Sequence, residues 1–364
     1  VRNVVVGQGL AGPGDRTGAS GTTDRSKRIA FLEGVRGVAA MLVVVQHLFA
    51  EQFPAYREWT TAHLDLGRVG VVAFFLVSGY VIPLSLAGQT LTAFAVRRFF
   101  RLYPVYWLAL PVYVVANVVT NSSWEGAGPF AVILNILMLH GLLGLVSILP
   151  PAWTLSIELL FYAQSAAAKA RRLLDASVHL GWAWLAFYLL LCVGERVTGR
   201  DLPTTLPMLL FVASLGHAIH LRDAAGRRAW QALLAGGVLL VPLGAYVGVD
   251  GDGQWPPFTY SVSYLGGLAL FGALYALRRR AMARPLIFLG GISYAVYLFH
   301  PTLMTVFESL HGFAYVAACL VSVPLVAYVV HRLVEKPSID IGRRLTARLR
   351  RPAPPSAVRA SAAP

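Results

Sequence analysis

Three of the ionisable side chains inside apolar runs of this sequence, where lipid penalises such groups, could do chemistry together. They are His47 in "GVRGVAAMLVVVQHLF" (34–49), Glu158 in "PAWTLSIELLFYA" (151–163) and His300 in "GGISYAVYLFHPTL" (290–303). Titratable groups at membrane depth are rare and costly enough that function is the default reading. Histidine moves a proton near neutral pH, and a carboxylate orients an imidazole or stabilises its charged form. A second chemistry lies in the arginines: Arg36 at the start of the first run, then Arg97, Arg98 and Arg101 in "VRRFFRLYP" (96–104). The planar guanidinium fork matches phosphate, whereas a positive-inside anchor accounts for one or two such residues.

Spacing sorts these groups by depth. His47 lies eleven residues beyond Arg36, about 16 Å along a helix and close to three full turns, so both occupy one face. Glu158 stands about one and a half turns into a helix that enters from outside, and His300 near the outer end of a helix running outward. The two histidines and the glutamate are therefore expected at one depth in the outer half of the membrane, above an arginine-lined inner mouth. That arrangement fits a long phosphorylated carrier such as acyl-coenzyme A, its nucleotide at the arginines and its pantetheine arm reaching upward. Other readings stand beside this one. His300 precedes Pro301 and could serve packing alone, bonding carbonyls the proline frees. Glu158 could be a structural acid, and His47, Glu158 and His300 together could form the proton relay of a secondary transporter. No close ligand pair of the HxxxH kind supports a metal, and none is expected.

The elements that must position these residues follow from composition. The chain has 364 residues, of which 57% are hydrophobic and 13% charged, with a mean hydropathy of +0.62. A soluble domain of this size needs a more polar surface. Eleven apolar runs, from 34–50 to 313–331, match the roughly 20 residues a helix needs to span a bilayer. The net charge of +14 comes from basic residues placed between those runs, which reads as topology and not as nucleic-acid binding. Basic connections around Arg97–Arg101, Lys169–Arg172, Arg222–Arg228, Arg278–Arg284 and after Arg332 belong inside; those with Glu51–Asp65, Glu125, Glu195–Asp201, Asp250–Asp252 and Glu308 belong outside. Eleven crossings would put Lys169–Arg172 on the wrong side. Treating 130–150, with Asn135, His140, Pro150 and Pro151, as re-entrant or outer-face restores the alternation. The expected fold is an all-α integral membrane protein of about ten transmembrane helices, with both termini cytoplasmic, in the cytoplasmic (inner) membrane. Residues 1–27 and 346–364 read as disordered tails flanking a membrane domain at 28–345. Cys192 and Cys319, both inside apolar runs, read as small buried hydrophobes.

Six segments resemble the acyltransferase-3 family of bacterial membrane O-acyltransferases, in the family's order. They are "RIAFLEGVRGVAAMLVVVQH" (28–47), "GRVGVVAFFLVSGYVI" (67–82), "RRFFRLYPVYW" (97–107), "PAWTLSIELLFY" (151–162), "GGISYAVYLFHPTL" (290–303) and "HRLVEKP" (331–337). Glu33 and Val35 stand where Asp and Leu are usual, Thr154 replaces Ser, and 195–260 shows no match, so acceptor specificity is expected to vary there. With no hydrolase-like domain after the helices, the stand-alone form is expected. The resemblance implies transfer of a short acyl group, commonly acetyl, from acyl-coenzyme A as co-substrate, with no tightly bound cofactor. The implied acceptor is a hydroxyl on a surface glycan, a lipid-linked saccharide or a glycosylated natural product such as a macrolide. It further implies that His47 is the central catalytic residue and that Arg36, Arg98 and Arg101 serve the donor. On that reading His47 is a general base oriented by Glu158. Trp153 opens the motif that ends at Glu158, and Ser78, Tyr294 and Tyr297 line the cavity or donate to an oxyanion. Glu335 either pairs with the arginine cluster or is an interfacial carboxylate beside Lys336.

Overall fold

The computed structural model describes residues 16–120, 128–248 and 256–347, which fold as helices and connecting turns with no strand among them. In order these are α1 (Arg16–Gln52), α2 (Pro54–Ala62), α3 (Leu66–Ala87), α4 (Leu91–Val119), α5 (Pro129–Ile136), α6 (Trp153–Ala170), α7 (Leu180–Thr198), α8 (Thr205–Ala225), α9 (Ala229–Val247), α10 (Pro257–Ala276), α11 (Arg284–Val306), α12 (Gly312–Val330) and α13 (Lys336–Ala347). Among the described residues, eight helical segments are long and apolar enough to cross a membrane. The other two of the ten expected spans correspond to α6 and α10, which are more polar, carrying Glu158, Gln164 and Lys169 in one and Thr259, Ser261 and Ser263 in the other. The protein is a multi-pass, all-α membrane protein. Residues 1–15, residues 348–364 and the loop residues Glu125, Asp250 and Asp252 lie outside the described residues. α1 starts at Arg16, inside the segment read from sequence as the N-terminal tail.

The 130–150 segment does not cross. Its helix α5 has eight residues, about 12 Å of rise and less than half a bilayer core. A backbone broken at this depth must be satisfied by protein, and buried Asn135 takes part in that. Its Nδ2 donates to the carbonyls of Ala131 and Val146, and its Oδ1 accepts from Ile148 N. From α4, Tyr106 donates to the Asn135 carbonyl and Trp107 to that of Ile136.

Helices in lipid gain little from the hydrophobic effect on associating, so close packing decides which ones meet. α1 and α11 approach through glycines. A Cβ at Gly37 would lie 2.6 Å from the Leu286 carbonyl oxygen, and one at Gly290 would collide with the Glu33 backbone. The same device joins α3 to α8, where a Cβ at Gly79 or Gly216 would strike the facing backbone at Ala213 or Leu76. The helix bearing Arg36 and His47 is thereby held backbone to backbone against the one bearing His300. At the top of α1, buried Gln46 accepts from Leu66 N and Tyr56 OH and donates to Thr60 Oγ1, fixing α2 and the start of α3. Beyond α12 the chain makes one π-helical turn at His331–Glu335, a local widening often found at functional sites.

Candidate active site

α11 contains Pro301, whose nitrogen carries no hydrogen, so the carbonyl of Tyr297 loses its usual partner four residues on. The neighbouring side chain takes that carbonyl: His300 Nδ1 lies 2.9 Å from Tyr297 O. A carbonyl only accepts, so this nitrogen carries the proton, and the neutral ring presents Nε2 as an acceptor. That nitrogen lies 2.9 Å from His47 Nδ1, with the rings stacked 15° from parallel. His47 therefore donates from Nδ1 and keeps the lone pair of Nε2 for another proton. His300 is fully buried, while His47 is exposed to a cavity.

That outer cavity, about 690 Å³, is lined by both histidines, Tyr297, the aromatic rings of Trp153, Tyr113 and Tyr315, and polar groups that include Glu51, Asp65 and Thr61. An inner cavity of about 130 Å³ is lined by Arg36, Arg98, Arg101, Ser78, Glu158 and Tyr294 among others. Val71 and Tyr297 line both cavities. Beside them Thr154 donates to Pro151 O, so the 3.0 Å contact between Thr154 Oγ1 and the Tyr297 hydroxyl takes its proton from the tyrosine. These three side chains form a throat between a cationic chamber and a histidine chamber.

In the inner chamber Arg101 forms an ion pair of 2.6 Å with Glu335, which is fully buried in the π turn and also bonded to His331 Nδ1 at 2.9 Å. Of the arginines expected to serve the donor, Arg101 is the one that Glu335 pairs with. Arg98 lies over the rings of Phe94 and Tyr162, each 5.3 Å from its guanidinium carbon. Arg36 is paired with Glu33 at 3.4 Å on its own helix.

Two expectations are corrected by this geometry. Glu158 does not orient His47: its Oε1 accepts from Ser78 Oγ at 3.2 Å and Tyr162 OH at 2.5 Å, and it lines the inner chamber. The depth estimate started α6 at the level of the outer surface, but Thr154 already packs level with Tyr297, three residues inward of His300. Glu158, four residues further on, lies about 6 Å deeper again. Arg97 is the second correction, for it faces away from the chamber and bonds Thr346 Oγ1 of α13 and Gln89 Oε1. Adjacent residues on a helix point about 100° apart, so Arg97 and Arg98 do not share one site.

The proposed oxyanion donors all line the inner chamber, yet each spends its proton internally: Ser78 on Glu158, Tyr294 on Leu102 O at 2.9 Å, and Tyr297 on Thr154. Trp153 lines the outer cavity instead, about a third exposed. Sequence reading missed Tyr162 and His331. Both stand four residues from a carboxylate on the same helical face, Glu158 and Glu335, a spacing that brings side chains together.

Comparisons with known proteins give the family. The acyltransferase-3 profile, described as an acyltransferase domain, matches residues 29–331. The acyltransferase MdmB of Streptomyces mycarofaciens is 31% identical over 156 residues, 38% of either chain, so the match spans well under half of that relative. The exopolysaccharide production protein ExoZ of Rhizobium meliloti is 27% identical over 334 residues, covering 80% of this chain and 96% of that one. Protein 2 of the picA locus of Rhizobium radiobacter is 31% identical over 176 residues, 42% of this chain and 88% of that one. No solved structure matches. Nothing in these similarities supports a transporter, and the profile spans every residue of the two chambers named above except Glu335: the chain belongs to the acyltransferase-3 family and is an acyl-transferring enzyme of the membrane.

Proposed function

We propose that this enzyme transfers a short acyl group, acetyl in the first instance, from acyl-coenzyme A to a hydroxyl of a carbohydrate-containing acceptor. The observation that carries the reading is the pairing of His47 with His300 on one side of a throat whose other side is lined by three arginines. Arg36, Arg98 and Arg101 hold the phosphates of the donor at the inner, cytoplasmic face, and the thioester reaches the throat. The acceptor enters the outer cavity, where aromatic rings and hydrogen-bonding side chains offer a sugar both stacking faces and partners. The similarity to a protein of exopolysaccharide production points the same way.

His47 Nε2 takes the proton of the acceptor hydroxyl as its oxygen attacks the thioester carbonyl. The tetrahedral intermediate collapses with cleavage of the carbon–sulfur bond, and the departing thiolate receives the proton back from His47. His300 Nε2 accepts from His47 Nδ1 throughout, holding the productive tautomer and stabilising the imidazolium, as a carboxylate does in other hydrolase and transferase triads. The test is label transfer from radiolabelled acetyl-coenzyme A to cell-envelope acceptors by purified protein. Wild type should transfer, His47→Ala should lose about 10³-fold or more, and the double variant Arg98→Ala/Arg101→Ala should weaken donor binding. Full turnover in His47→Ala would end this mechanism.

A further inference from the structure

Glu158 is the sole carboxylate among the described residues that line the inner chamber, and the transfer chemistry above does not use it. Its two protein donors, Ser78 and Tyr162, both go to Oε1, while Oε2 accepts from no described residue. A carboxylate has about four lone-pair sites and, ionised, donates nothing. With one oxygen occupied from behind, the other is presented to whatever fills the chamber. Its depth is also defined. Thr154, one turn outward on α6, bonds Tyr297 at the throat, and Tyr162, one turn inward, lies against the Arg98 guanidinium. Glu158 therefore stands about 6 Å inward of the throat, between it and the arginines.

An acyl-coenzyme A whose thioester sits at the throat carries an amide nitrogen two methylenes from its sulfur, about 4 Å away along an extended arm. That N–H reaches the level of Glu158 in a chamber walled by Phe74, Leu155 and Tyr294, where an amide without an acceptor is costly. We propose that Glu158 Oε2 accepts the amide N–H of the donor's pantetheine arm and so selects amide-bearing thioesters over other acyl donors. The assignment rests on the acyl-coenzyme A reading of the inner chamber. It makes Glu158 a donor-binding residue and leaves proton transfer to the histidines.

The experiment compares wild type, Glu158→Gln and Glu158→Leu, purified at full length, with three radiolabelled donors and a cell-envelope acceptor fraction. The donors are acetyl-coenzyme A, the acetyl thioester of N-acetylcysteamine, which keeps one amide, and the acetyl thioester of propanethiol, which has neither an amide nor any other hydrogen-bond donor. Glu158→Leu should raise KM for both amide-bearing donors about 10- to 100-fold, the range of a hydrogen bond to a charged group. KM for the amide-free donor and kcat should change by less than about threefold. Glu158→Gln, which still offers a carbonyl oxygen, should recover most of the loss, and Glu158→Met replaces the leucine variant if that one does not fold. An equal rise for all three donors, or a kcat loss shared by Gln and Leu, would overturn the assignment in favour of a structural or proton-transfer role. Wild type that transfers from none of the thioesters fails in a different way, removing the acyl-coenzyme A reading itself.

Discussion

His300 Nε2 lies 2.9 Å from His47 Nδ1, and the reason it is an acceptor there is a missing hydrogen one residue further on, at Pro301. The proline frees a carbonyl, the carbonyl fixes the proton of His300, and the fixed proton fixes His47. A helix defect is thus converted into a defined tautomer at His47.

The first prediction follows from that chain of bonds. His300→Leu should lower kcat about 10²-fold with the donor KM unchanged, because His47 loses its acceptor but the arginine chamber is untouched. His300→Gln, whose amide oxygen can accept from His47 Nδ1, should retain more activity than leucine. Steady-state kinetics on the three proteins decides it, and a change confined to KM would count against the pairing.

Pro301→Ala separates stability from activity. A mid-helix proline costs about 3 kcal/mol in an ordinary helix, and alanine restores the N–H that Tyr297 O lacks. Thermal unfolding in detergent should therefore occur at the same or a higher temperature. Activity should fall about tenfold, since His300 Nδ1 then competes with the backbone for one carbonyl. A variant that is both less stable and fully active would contradict the argument.

Glu335 is buried and paired with Arg101 on one side and His331 on the other. Removing one partner of a buried pair leaves the other charge uncompensated, which costs about 3–5 kcal/mol for full burial. Arg101 retains some access to solvent, so Glu335→Ala should cost nearer the lower figure. Coenzyme A binding, measured by calorimetry, should weaken about tenfold as Arg101 loses its fixed position, while Glu335→Gln should fall between alanine and wild type.

How much of this was legible beforehand differs by feature. The helical class, the non-crossing 130–150 segment and the inner arginines follow from hydropathy and charge, because lipid punishes misplaced polar groups in proportion to their depth. Side-chain direction did not follow. The depth of Glu158 was misjudged because α6 begins below the level assumed for it, and rise per residue measures distance only from a known start. The acceptor role of His300 was written in the HisPro dipeptide, but that dipeptide alone also fits a histidine that does nothing except satisfy a carbonyl. What distinguishes the two is His47 on another helix, brought close by Gly37 and Gly290. That is a packing relationship, and one strand of text does not carry it.

Arg97 and Arg98 supply the last prediction, since neighbouring identical residues here do different things. Arg98 lines the inner chamber over Phe94 and Tyr162, while Arg97 reaches away to Thr346 and Gln89, tying α4 to α13. Arg98→Ala should raise the donor KM about tenfold or more and lower the affinity for free coenzyme A to match, because a charge-assisted contact to phosphate is lost. Arg97→Ala should leave both within about twofold. Its effect belongs on stability, about 1 kcal/mol for its hydrogen bonds to the neutral acceptors Thr346 and Gln89, seen as a small drop in the thermal midpoint. The lysine substitutions sharpen the contrast. Arg98→Lys keeps the charge but not the planar fork or its stacking on Phe94 and Tyr162, so it should still weaken donor binding. Arg97→Lys should behave as wild type toward the donor. Equal donor defects at the two positions would mean that the chamber is wider than its lining residues indicate, and that both guanidinium groups reach the phosphates.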